Sequence, residues 1–112
     1  MNNRILAFEK LKSKEKFSNE EWKNRGLNPS EKSLCIKLEN SFNDLLTNLI
    51  SANNTKKSDT EIENIFEHYF KEIKSHELDT EEREFVVDYF DEIAKILKID
   101  RLNEKLSIKV VE

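Results

Sequence analysis

Two histidines and one cysteine are all the chain holds of the residues that ordinarily bind zinc through nitrogen or sulfur. His68, Glu72 and His76 follow at intervals of four, and a His-Glu-His set on one helical flank would suit a metal ion. The flank drifts over that span: His68 falls toward the polar side, and His76 toward the apolar side at a helix end, where a histidine commonly caps carbonyls. The H-E-x-x-H spacing and the paired Glu-x-x-His of di-iron bundles are absent. Cys35 lies inside the apolar arc of its helix, so it reads as a small buried hydrophobe and not as an activated nucleophile. A catalytic carboxylate needs a pocket that raises its pKa, and every acidic cluster is expected on an outer face. One glycine, Gly26, leaves no room for a glycine-rich phosphate loop. No catalytic residue, metal or cofactor is expected.

Carboxylates are what the chain has in quantity. Residues 59–92 hold 13 acidic and 3 basic residues, a net of −10, whereas residues 1–37 hold 9 basic and 5 acidic, a net of +4. At about 100° per residue, Glu84, Asp88 and Asp91 fall within about one-sixth of a turn, opposite the apolar face, with Glu81 and Glu92 on their flanks. Such a face either simply solvates the helix and suits its dipole or steers a basic partner onto it. The expected function is a non-enzymatic protein-protein interaction module that uses Glu81, Glu84, Asp88, Asp91 and Glu92. Its concrete form is a bacterial immunity or inhibitor protein that covers the basic active site of a toxin. The alternatives are a self-associating structural protein, as a homodimer, and an enzyme whose site is assembled from distant residues. Lys10, Lys12, Lys14 and Lys16 are expected to be solvated. An overall charge of −4 and only four arginines, Arg4, Arg25, Arg83 and Arg101, argue against nucleic acid as a partner.

The elements that must position these residues are helices. One glycine and one proline in 112 residues are too few for the turns of a sandwich or barrel. A first short helix is expected around Ile5, Leu6, Phe8 and Leu11, ending in the polar stretch before Phe17. Ser18 and Glu21 have the spacing of a capping box, Phe17 and Trp22 that of a hydrophobic staple, and Gly26 should end this second helix with Leu27 folded back on it. Pro29 is expected at the first position of a long helix running to about Ala52. Leu34, Leu38, Phe42, Leu45 and Leu49 form its stripe, which Cys35 and Leu46 widen.

Ser58 and Glu61 start the next helix, faced by Ile62, Ile65, Phe66, Tyr69, Phe70 and Ile73. Asp79 and Glu82 start the last, faced by Phe85, Val86, Tyr89, Phe90, Ile93, Ile96 and Leu97. Ile36, Ile50 and Val87 lie off these stripes and hint at a second covered surface. The expected architecture is all-α: a compact bundle of three long amphipathic helices plus short N-terminal ones, with an extended or short-helical tail. Residues 1–112 are expected to form one domain, with short helices over 1–27, main helices over 28–98 and the tail over 99–112. In that tail Asp100 could cap a last turn, and Leu106 to Val110 alternate like a strand. The polar N-terminus, the lone cysteine and the lack of an apolar run long enough for a bilayer fit a cytoplasmic protein with no membrane association. Abundant lysine and asparagine suggest an AT-rich, bacterial gene.

The run from Leu78 to Glu84, then Asp88-Tyr89-Phe90 and Ile93 to Leu97, resembles a family of small bacterial helical proteins, the domain of unknown function 4844. Ile65-Phe66 and Tyr69-Phe70 upstream are similar to it as well. The likeness covers roughly the last half of the chain. It implies a helical fold and carries no activity or site residue.

Overall fold

The computed structural model describes residues 3–98. Within them lie five helices: α1 (Asn3–Ser13), α2 (Asn19–Asn24), α3 (Lys32–Asn54), α4 (Asp59–Lys74) and α5 (Thr80–Leu97). No strand occurs among the described residues, and the fold is an all-α bundle of three long helices with two short ones before them. The expected tail lies outside the described residues.

Local chemistry sets most of the boundaries. The Ser18 hydroxyl accepts the Glu21 amide, and Ser58 accepts the Glu61 amide, satisfying an orphan donor at the start of α2 and of α4. At α5 the box is reciprocal: the Glu82 amide donates to Asp79 Oδ1 at 2.8 Å and the Asp79 amide to Glu82 Oε1 at 2.9 Å. α2 ends as expected. Gly26 takes φ 75°, its amide donates to the Lys23 carbonyl, and Leu27 donates back to the Trp22 carbonyl, both at 2.9 Å. The same pair of bonds closes α3, where Lys57 donates to the Ala52 carbonyl at 2.9 Å and Lys56 holds φ 55° without a glycine's freedom.

The start of α3 differs from expectation. Pro29 does not open the helix; Glu31 is its extended N-cap, and no side chain caps it. The cause is tertiary. The Ser30 hydroxyl donates to Glu82 Oε2 at 2.5 Å, which ties the segment after Gly26 to the start of α5 and delays the first turn until Lys32. At its other end α3 runs past Ala52 to Asn54, because Asn53 is buried, donating to the Leu49 carbonyl and accepting from Arg4.

One buried cluster runs from Phe8 in α1 to Leu97 in α5. α1 packs on α3 and touches α5, and α3 packs on α4. Aromatic rings form its spine. Phe17 meets Trp22, Phe42, Phe85 and Tyr89 with centroids 5.2 to 6.4 Å apart. Phe90 carries the spine onward to Phe42, Phe66 and Phe70. The Phe17–Trp22 staple is thus part of the core and not an exposed anchor. Of the residues off the stripes, Ile50 and Val87 pack on the core edge, while Ile36 remains 51% exposed.

Candidate functional site

α5 presents the five carboxylates expected to meet a partner, but in two different states. Glu81, Glu84 and Glu92 are exposed and form no ion pair among the described residues. Asp88 is held by the Arg25 guanidinium from the end of α2. Asp91 is paired with Lys95 one turn on, at 3.0 Å, and is half-buried. The acidic face is therefore narrower than its sequence suggests, with uncommitted charge at Glu81, Glu84 and Glu92.

Beside that charge lies a shallow hollow of about 350 Å³ between the end of α2, the end of α4 and the first turns of α5. Glu84 and Asp88, both exposed, stand on its lining. Arg25, Lys74 and Arg83 line it too, over a floor that includes Val87. Aromatic faces hold two of these cations: Arg25 sits 4.5 Å from the Phe85 centroid and Lys74 5.4 Å from that of Phe70. Lys74 and Arg83 pair with no carboxylate among the described residues.

Of the four N-terminal lysines, Lys10, Lys12 and Lys14 are exposed, with Lys14 3.6 Å from Glu21. Lys16 corrects the expectation of solvated lysines: it is fully buried. Its Nζ lies 2.7 Å from Glu39 Oε2 and donates to Asn43 Oδ1 at 2.8 Å and to the Leu11 and Lys14 carbonyls at 3.2 Å. Glu39 Oε1 accepts the Phe17 amide at 3.1 Å, and the Tyr89 hydroxyl donates to the Lys16 carbonyl at 3.1 Å. The ammonium closes the carbonyl end of α1 and locks it to α3, while the Lys16 carbonyl ties the same segment to α5 through Tyr89. With every donor engaged, it is structural.

Cys35 is half-buried at the rim of the core, and its thiol donates weakly to the Ser30 carbonyl at 3.6 Å. Burial raises its pKa, and the Glu82 carboxylate adds to the rise, so the thiol stays protonated near neutral pH. The buried Trp22 indole N–H has no acceptor at hydrogen-bond geometry. Its closeness to the sulfur works against the rise in the thiol's pKa, making the sulfur its weak partner. His68 and Glu72 stand 3.6 Å apart on the exposed side of α4. His76 lies beyond the end of that helix, so the periodicity that would align the three is broken. No group of three metal-ligating side chains converges among the described residues. One acidic residue departs from the outer face: Glu63 is buried on α4.

The family model described as Domain of unknown function (DUF4844) matches residues 1–108. The chain belongs to this family. No curated protein and no solved structure matches it. The DUF4844 match reaches well beyond the C-terminal motifs and takes in α1, α2 and the Lys16 lock. No helix among the described residues is long and apolar enough to cross a membrane.

Sequence reasoning missed Lys16 and the hollow in this DUF4844 chain. Glu39 and Asn43 stand four apart on one flank of the apolar stripe of α3, both to the same side of Phe42 in angle, and that was the one signal of a buried partner. Tyr89 shows how dry the lock is. Burial first, then the Glu21, Glu92 and Glu39 carboxylates, drive its phenol pKa far above the ordinary value, while Arg25 acts the other way. Tyr69 is raised as well, by burial and then by Asp44 and Glu72. A raised folded-state pKa favours the neutral phenol, so this stabilisation is complete below the unfolded value of about 10 and is lost as pH climbs through the folded value. In an alkaline titration followed by tyrosinate absorbance, Tyr89 should ionise only as the helical circular dichroism collapses. Replacing Tyr89 with phenylalanine should remove that late step. Both tyrosines ionising at about 10 with helicity intact would contradict a dry phenol.

Proposed function

We propose that this DUF4844 protein is a non-catalytic module that binds a basic protein partner through the outer face of α5. The observation that carries the reading is the set of exposed, uncommitted carboxylates at Glu81, Glu84 and Glu92, in a segment whose other acids are partly neutralised. Fixed negative charge raises the encounter rate with a cationic surface, by roughly tenfold or more at low ionic strength. A toxin or nuclease with a cationic active site is the concrete partner, met in the bacterial cytoplasm. The half-buried, protonated Cys35 and the fully engaged Lys16 support a binding role over covalent chemistry.

The test compares the wild-type chain with Glu84→Lys/Glu92→Lys, both immobilised and exposed to extract of the source cells. Both positions are exposed, so the variant should keep its helical spectrum. A basic protein should be retained by the wild type, and its association with the variant at low salt should be slower by about tenfold. Equal retention of the same proteins by both would reject the α5 face.

A further inference from the structure

The hollow beside Glu84 poses a problem that a purely basic partner does not solve. Arg25, Lys74 and Arg83 come from three separate elements, and the last two lie in the stretch, residues 59–92, whose net charge is −10. A cationic surface laid over α5 would meet these charges with repulsion unless something between them is negative. Asp88 answers Arg25. Nothing among the described residues answers Lys74 or Arg83.

We infer that the hollow receives one carboxylate side chain from the otherwise basic partner segment, an inference that rests on the reading of α5 as the partner face. The Arg83 guanidinium offers a planar fork suited to a carboxylate, and the Lys74 ammonium adds a point charge. Thr80 supplies a hydroxyl at the rim, and Val87 gives the methylenes of a glutamate an apolar floor. Glu84, on the same rim, meets a lysine flanking that glutamate. The partner sequence recognised is thus an acid set among bases, and the acid fixes the register.

Two peptides give opposite predictions. Acetyl-Lys-Lys-Glu-Lys-Lys-amide carries less positive charge than its glutamine analogue, so general attraction to an acidic protein favours the glutamine peptide. The hollow favours the glutamate peptide. With backbone amide shifts as the readout at low salt, the glutamate peptide should bind the wild type roughly threefold more tightly, the size of an exposed ion pair. The shifts should saturate at Thr80, Arg83, Glu84 and Val87. In Arg83→Glu the order should reverse. A glutamine peptide that binds the wild type equally or more tightly, or a glutamate preference that survives Arg83→Glu, overturns the carboxylate site and leaves the acidic-face reading standing. Failure of both peptides to shift any α5 amide overturns both.

Discussion

Replacing Lys16 with alanine is expected to remove about 3 to 5 kcal/mol of stability, because it strips one partner from a buried ion pair and leaves the other in place. The side chain is wholly out of solvent, whereas Glu39 keeps 25% of its exposure. Part of the orphaned carboxylate would rehydrate, which draws the expected loss toward the lower end of that range. Asn43 and the Leu11 and Lys14 carbonyls lose their donor at the same time. A domain of this kind holds only about 5 to 15 kcal/mol in total, so the variant should sit near its unfolding threshold.

Lys16→Met separates charge from volume. It keeps the packing of the stem and still leaves Glu39 unanswered, so it should lose less than alanine and far more than a surface lysine. Adding Glu39→Gln should recover part of that loss, since the amide oxygen can still accept from Phe17 while the unpaired charge is gone. Urea unfolding by circular dichroism, with unchanged slope, gives these differences directly. A loss below about 1 kcal/mol for Lys16→Ala would mean that water reaches the ammonium.

The same residue shows where reading the chain stops. The side-chain N-caps were visible: Ser18, Ser58 and Asp79 each sit where their hydroxyl or carboxylate reaches an amide three residues on. The apolar stripes were equally visible, because helical period alone puts Leu38, Phe42, Leu45 and Leu49 on one side. Pro29 was misplaced because the helix start is decided by the Ser30–Glu82 bond, which spans 52 positions. Lys16 was read as solvated because its partners are 23 and 27 positions away, and an isolated lysine is almost never buried. The acidic face was legible as angular proximity on α5. Its division into paired and free carboxylates was not, since Arg25 reaches Asp88 across 63 positions. Period and capping are local properties. Charge pairing between helices depends on how the bundle closes, and no spacing encodes that.

That closure turns on Phe90, and Phe90→Ala is expected to cost about 3 to 5 kcal/mol. The ring is fully buried, with centroids 4.8 Å from Phe42 on α3 and 5.2 and 4.9 Å from Phe66 and Phe70 on α4. It therefore joins the α4 rings to the cluster that α2, α3 and α5 build around Phe17. Truncation removes those contacts and leaves a space walled by three aromatic rings, and an apolar cavity of that kind stays dry. If the helices hold their places, a small apolar ligand such as benzene should enter and raise the variant's melting temperature without affecting the wild type. If they collapse inward, the loss should fall toward the bottom of the range and benzene should do nothing, because collapse restores contacts at the expense of the cavity. Phe90→Leu fills most of the same volume and should lose about 1 to 2 kcal/mol with no response to benzene. A Phe90→Ala variant within about 1 kcal/mol of wild type would show that α4 is held by something other than these rings, and the bundle would need a different keystone.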